Sequence, residues 1–228
     1  MADIRLIEIR EEILSDNQYL AEEIRQALQR EGVFMLNLMA SPGGGKTSLI
    51  LETIRRLRDE FRIAVIEGDI DSTVDAEKVA ALGIPAVQLR TGGACHLDAP
   101  MIRMALDGMD LSALDLLIIE NVGNLVCPAE FDTGATIRAM ILSVPEGDDK
   151  PLKYPLMFSV CDALVINKID YLPDPGFDMA AFRERVLKLN PGIRIFEVSC
   201  RRGEGLDDWV RWLGEQVKFE RIEKHGAL

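Results

Sequence analysis

No run of 18 or more apolar residues occurs in the 228-residue chain, which excludes a transmembrane helix. Cysteine is scarce. Cys95, Cys127, Cys161 and Cys200 are the four, too few for a disulfide scaffold, so in a reducing compartment they are core residues, metal ligands or redox sites. Histidine is scarcer still: His96, and His225 in a tail where solvation is expected. Basic residues are outnumbered, 26 Lys and Arg against 38 Asp and Glu, for a net charge of −12. So acidic a surface disfavours nucleic acid and anionic membrane as main partners. A local Lys/Arg cluster can still bind a small polyphosphate. The opening MADIRLIEIREEIL is acidic and lacks the basic-then-apolar plan of a secretory signal. A cytoplasmic location is therefore expected. There is no internal repeat, low-complexity stretch or Pro/Ser linker.

What is present is an ordinary globular composition, 48% hydrophobic and 28% charged. Its length suits one larger α/β domain. Leu20, Ile24 and Leu28 recur every four positions and predict an amphipathic helix over 16–31, stopped at Gly32. Short apolar runs at 33–39, 63–66, 114–119, 140–144, 163–166 and 193–198 predict strands. Helical patterns lie at 47–60, 74–82, 98–109, 178–189 and 205–222. Continuous apolar strands alternating with helices predict a parallel sheet covered on both faces. In such folds ligands bind beyond the carboxyl ends of the strands.

Ala40 to Thr47, ASPGGGKT, follows the first strand and opens a helix. It fits the phosphate-loop pattern G-x-x-x-x-G-K-S/T with Ala at the first position. Gly43, Gly44 and Gly45 let successive N–H groups, with those of the helix start through Ser48, converge on one anion. Lys46 is expected to reach the terminal phosphates and the Thr47 hydroxyl to bind Mg²⁺. Asn167-Lys168-Ile169-Asp170 follows a later strand, 121 residues beyond Lys46. Asp170 can accept from N1–H and the 2-amino group of guanine together, whereas adenine offers a lone pair at N1. Asn167 can brace the loop or contact the base, and the Lys168 stem can pack along the ring. Ser199 and Cys200 follow the next strand. They can give a backbone N–H to the base carbonyl, or form a plain loop.

Acids at strand ends near a phosphate loop can hold Mg²⁺. Asp69, Asp75 and Glu120 are the candidates, with Gly123 offering an N–H to the γ-phosphate. The rival account makes Asp69, Asp71 and Asp75 helix-capping or surface acids. Cys95 and His96 precede a helix capped by Asp98. A thiol so placed is expected to have a depressed pKa. Sharing a metal with His96 requires a turn, for which Gly92 and Gly93 provide. Cys127, seven residues beyond Glu120, gives a third ligand for Zn²⁺ or Ni²⁺. Two structural cysteines with a hydrogen-bonded histidine fit the pattern equally. Cys161 reads as core.

Taken together, SPGGGKT (41–47), GDI (68–70), ACHLDA (94–99), ENVGNLVCPAEFD (120–132), EGDDKPLKYPLMF (146–158) and NKID (167–170) resemble the nickel-incorporation GTPases of hydrogenase maturation, the HypB family. The likeness spans nearly the whole chain. It implies an α/β P-loop NTPase G domain of the SIMIBI class, with residues 1–228 as one domain and 1–32 as a helical segment packed on it. It implies GTP hydrolysis to GDP with Mg²⁺, a homodimer formed with nucleotide, and delivery of Ni²⁺ to a nickel–iron hydrogenase precursor alongside a second nickel chaperone. It favours Cys95, His96 and Cys127 as ligands for Ni²⁺ or Zn²⁺ near a dimer interface. Lys153 resembles a lysine that approaches nucleotide across the dimer. Two departures are visible. Residues 1–35 hold no Cys or His, so metal storage at that end is not expected. Ser41 stands where some dimerising ATPases of the class carry an extra Lys.

No general base stands out, so slow intrinsic turnover is expected. Three rivals remain: a metallochaperone GTPase for another target such as urease, a non-catalytic GTP-gated metal-binding adaptor, and a small-molecule kinase, which Asn167–Asp170 disfavours.

Overall fold

The computed structural model describes residues 9–172 and 176–226, with side chains described from 13 to 172 and from 176 to 221. The first eight residues of the expected N-terminal segment, and the His225 side chain, therefore lie outside the described residues.

Seven strands form one sheet, β1 (Phe34–Ala40), β2 (Ile63–Asp69), β3 (Ala86–Arg90), β4 (Leu116–Glu120), β5 (Ile137–Ser143), β6 (Ala163–Asn167) and β7 (Arg194–Glu197). Their spatial order is β3-β2-β4-β1-β5-β6-β7, and every pairing is parallel. β1, β2, β4 and β6 are almost wholly buried and correspondingly apolar. That is the signature of a sheet covered on both faces. The six apolar runs of the sequence correspond to six of these strands. The pattern missed β3 because its AVQLR is polar at alternate positions and only half-buried at the sheet edge.

Nine helices lie in the described residues, α1 (Ile9–Glu31), α2 (Lys46–Leu57), α3 (Val74–Ala80), α4 (Ala99–Leu106), α5 (Cys127–Glu130), α6 (Lys150–Lys153), α7 (Pro155–Val160), α8 (Met179–Leu189) and α9 (Leu206–Gly226). Side-chain alternation divides the core. Leu36, Leu38, Val65 and Ile118 face α2 and α9, where Ile50, Ile54, Trp209 and Leu213 are buried. Met35, Ile66, Leu117 and Ile119 face the other way, onto Ile24 and Leu28 of α1 and Ile102 of α4. The other half of that face packs Met140, Leu164 and Ile166 against Phe158 of α7 and Phe182 of α8. Cys161 is buried in this last cluster, as expected.

The short α5, α6 and α7 were not predicted. Each has a proline in its first turn, a position where the missing N–H costs nothing, but runs of four to six residues carry no helical period. α1 begins upstream of the predicted 16. At α4, Asp98 caps as expected, accepting from Met101 N–H at 2.9 Å.

Candidate functional site

The phosphate loop leaves the end of β1 and returns as α2. Its tight course needs glycine at Gly43 and Gly45, with φ of +75° and +105°. A Cβ on Gly45 would also lie 2.3 Å from Asn167 Nδ2. The loop is braced from two sides. Ser41 Oγ donates to Glu146, which also accepts from Ser143 N–H and Oγ at 2.8 Å. From the other side, Asn167 Nδ2 donates to Gly44 O at 3.2 Å and Lys168 Nζ to Gly43 O at 2.8 Å.

A cavity of about 660 Å³ opens above this loop. Gly43, Gly45, Lys46, Thr47 and Ser48 line one side, and Glu67, Asp69, Asp75, Glu120 and Gly123 the other. The backbone at Gly123 comes so close that a Cβ there would be 3.1 Å from Pro42 N. Thr47 Oγ1 donates to Glu120 Oε1 at 3.0 Å. Asp69 Oδ1 accepts from the N–H groups of Asp71 and Ser72 at 3.0 and 2.7 Å, and those bonds hold its pKa below the usual range. Asp75 is half-buried and paired with Lys78 at 2.8 Å.

Glu67 was not anticipated. In the sequence it reads only as the residue that follows the apolar run 63–66. The register pairs it with Glu120. Burial, then the neighbouring Glu120 carboxylate, push its pKa up to about 9, and burial raises Glu120 as well. Glu67 Oε1 and Glu120 Oε2 are buried without a hydrogen-bond partner. A hard cation such as Mg²⁺ fits a donor set of carboxylates and one hydroxyl with buried oxygens left open.

A second groove lies on the far side of Gly45, lined by Ser48, Asn167, Lys168 and Cys200. Lys168 adopts φ +61°, which turns Asp170 back toward β7. There Ser199 Oγ donates to Asp170 Oδ1 at 2.7 Å and lowers its pKa. Of the two alternatives for 199–200, a free N–H for a base carbonyl or a plain loop, the structure shows both N–H groups bonded within the protein. Ser199 N–H donates to Glu204 O at 3.0 Å and Cys200 N–H to Asn167 Oδ1 at 3.3 Å. Local turn hydrogen bonds consumed donors that the sequence left open.

The cysteine–histidine group lies on the loop following β3 and at the first residue of α5 after β4. Gly92 and Gly93 have φ of +60° and +115°, so the expected turn is present. It brings Cys95 Sγ to 3.9 Å from His96 Nδ1 and 2.9 Å from Cys127 Sγ. All three ligand atoms lie within 4.8 Å of one another, and no other such cluster occurs among the described residues. His96 stacks on Phe131 at 3.9 Å between centroids. Burial lowers its pKa, favouring the neutral, ligating imidazole. The Cys127 thiol is pushed up by the facing Cys95 thiol and by burial. A bound metal reverses that balance by taking the thiolate.

Lys153 is exposed and paired with Asp149 in its own turn, away from both grooves.

Residues 34–197 match the model of the CobW/HypB/UreG nucleotide-binding domain. The chain is 46% identical over 216 residues to the hydrogenase maturation factor HypB of Azotobacter vinelandii, covering 95% of this chain and 71% of that protein. It is 42% identical over 223 residues to the hydrogenase/urease maturation factor HypB of Helicobacter hepaticus, covering 96% and 91%. The crystal structure of HypB from Helicobacter pylori in complex with nickel superposes with a TM-score of 0.85 at 41% identity, over 90% of this chain and 97% of that one.

Proposed function

Since this chain belongs to the HypB family of hydrogenase maturation factors, P-loop GTPases built on the SIMIBI fold, we propose that it is a nucleotide-gated carrier that binds Ni²⁺ as cargo at Cys95, His96 and Cys127 and delivers it to a nickel–iron hydrogenase precursor. Zn²⁺ suits the same ligands. The reading takes residues 1–228 as one G domain with 1–32 as a helical segment packed on it.

In this reading Gly43, Gly44, Gly45 and the N–H groups through Ser48 cradle the phosphates, and Lys46 neutralises the terminal ones. Thr47, Asp69, Asp75 and Glu120 would hold Mg²⁺, which when bound neutralises charge on the β- and γ-phosphates. Gly123 N–H senses the γ-phosphate. Asp170 reads guanine, oriented by Ser199, while Asn167 and Lys168 lock the base loop to the phosphate loop and Cys200 closes the groove. Lys153, unengaged with its own nucleotide groove, serves a homodimer formed with GTP. A second nickel chaperone and the hydrogenase large-subunit precursor are the protein partners.

One observation carries the coupling. Asn121 is fully buried beside the nucleotide cavity, and its Oδ1 accepts from Leu97 N–H at 3.0 Å. Asn124 Nδ2, three residues on, donates to Cys95 O at 3.3 Å. A shift of 120–124 with nucleotide state therefore reaches Cys95 and Cys127 together. By linkage, metal changes GTP affinity by the same factor as GTP changes metal affinity.

The test is a nickel titration of the empty, GDP-bound and GTP-bound protein, for the parent and Cys127→Ala. The expected result is an affinity that differs between nucleotide states and falls in the variant. Equal affinity in all three states removes the gating; full affinity in Cys127→Ala removes the third ligand. The name of the Helicobacter hepaticus relative favours one second reading, urease as an additional recipient.

A further inference from the structure

Glu67 is an interior carboxylate for which the roles above have no use. The period of two along β2 puts it on the face of Ile63 and Val65, and Glu120 shares that face with Leu116 and Ile118 of β4. The two acids are register partners on adjacent parallel strands. Glu67 is 2% exposed, yet it lines the cavity that holds Lys46 and Thr47. Its Oε1 has no hydrogen-bond partner, and neither has Oε2 of Glu120. Buried carboxylate oxygens are ordinarily filled by donors, and two side-by-side carboxylates repel unless one takes up a proton or a cation lies between or before them. Thr47 engages Glu120 and leaves Glu67 aside, so Glu67 acts next to the acid that meets the hydroxyl.

We propose that Glu67 is a positioning residue of the divalent-cation site: beside Glu120, it accepts hydrogen bonds from water held by the cation and so sets how tightly Mg²⁺ is retained with the nucleotide. Mg²⁺ dehydrates reluctantly and keeps several waters, and outer acceptors that hold those waters tune affinity by about 10- to 100-fold. The inference rests on the cavity being the Mg²⁺–nucleotide site.

The test uses the full chain with Mn²⁺ as a paramagnetic substitute. Free Mn²⁺ is followed by electron paramagnetic resonance in the presence of saturating GDP, for the parent, Glu67→Gln and Glu67→Asp. GDP affinity in EDTA is measured in parallel. The expectation is a loss of about 10-fold or more in Mn²⁺ affinity for Glu67→Gln, a smaller, severalfold loss in the charged Glu67→Asp, and GDP binding in EDTA within twofold of the parent. Mn²⁺ affinity within twofold of the parent in Glu67→Gln overturns the proposal. Should Glu67→Gln not fold, Glu67→Asp decides: a shortened carboxylate is expected to weaken Mn²⁺ by severalfold, and parental affinity and linewidth overturn the proposal. A parent that binds no GDP overturns the nucleotide reading itself, a distinguishable failure.

Discussion

Asp170 accepts the Ser199 hydroxyl through Oδ1, so its carboxylate is ionised and aimed before any base arrives. Preorganised charge of this kind discriminates strongly, because the wrong base leaves a polar group unpaired. Asp170→Asn exchanges an acceptor for a donor. It is expected to weaken GTP by at least ~100-fold and to favour xanthosine triphosphate, whose 2-position carries a carbonyl; competition against a fluorescent guanine nucleotide reads both effects. The proposed guanine reader, the phosphate-loop residues and the candidate cysteine–histidine ligands were all legible as residue types in sequence. Glu67 was not, because a single acid ending an apolar run looks like a strand terminus until the register sets it against Glu120. The amides at 199–200 stayed open between two alternatives for a related reason: whether a donor is free depends on partners such as Glu204 and Asn167.

Between elements, two contacts deserve experiments. Gly68 lies against Leu97, so that a Cβ there would stand 2.5 Å from Leu97 Cδ1. Leu97 is fully buried and adjoins His96. Gly68→Ala therefore displaces the loop carrying Cys95 and His96. Overpacking is expected to cost about 1–3 kcal/mol and to weaken nickel binding while guanine-nucleotide affinity in EDTA is retained; denaturant melts and nickel titration check the two parts. Trp209 ties α9 to α2, donating from Nε1 to Thr53 Oγ1 at 3.0 Å inside the core. Trp209→Ala leaves a large cavity while Thr53 Oγ1 keeps its bond to Leu49 O at 2.7 Å, with an expected loss of about 4 kcal/mol by chemical denaturation. The elements themselves were readable where a period was long enough to show. β3 and the short α5, α6 and α7 were not, since an edge strand of five residues and helices of four to six depend on what they pack against.

Across the whole molecule, Asp115 fastens the starts of β2 and β4. It accepts from Arg62 at 2.9 Å from the backbone N–H, 3.0 Å from Nε and 2.8 Å from the guanidinium Nη2. These bonds hold its pKa below the ordinary 3.8. A carboxylate with a lowered native pKa contributes stability that is complete above its unfolded value and lost as pH falls through the native one. Asp115→Asn is therefore expected to cost about 2 kcal/mol at neutral pH, with the difference from the parent shrinking progressively below pH 3.8; urea melts at a series of pH values measure it. No described helix is long and apolar enough to cross a membrane.

The local pattern determined the doubly covered parallel sheet and the phosphate loop, and it singled out the Asn167–Asp170 segment and the candidate ligands Cys95, His96 and Cys127. Period, glycine chemistry and ligand type are properties of neighbouring residues, and they survive without knowledge of the fold. Only the tertiary structure decided which acids share a cavity, which amides remain available, and that Asn121 and Asn124 join the segment after β4 to the loop carrying Cys95. Those facts depend on strand order and register, which bring Glu67 to Glu120 across 53 positions and Cys95 to Cys127 across 32. No sequence period encodes such distances; the packing of seven strands and their covering helices sets them.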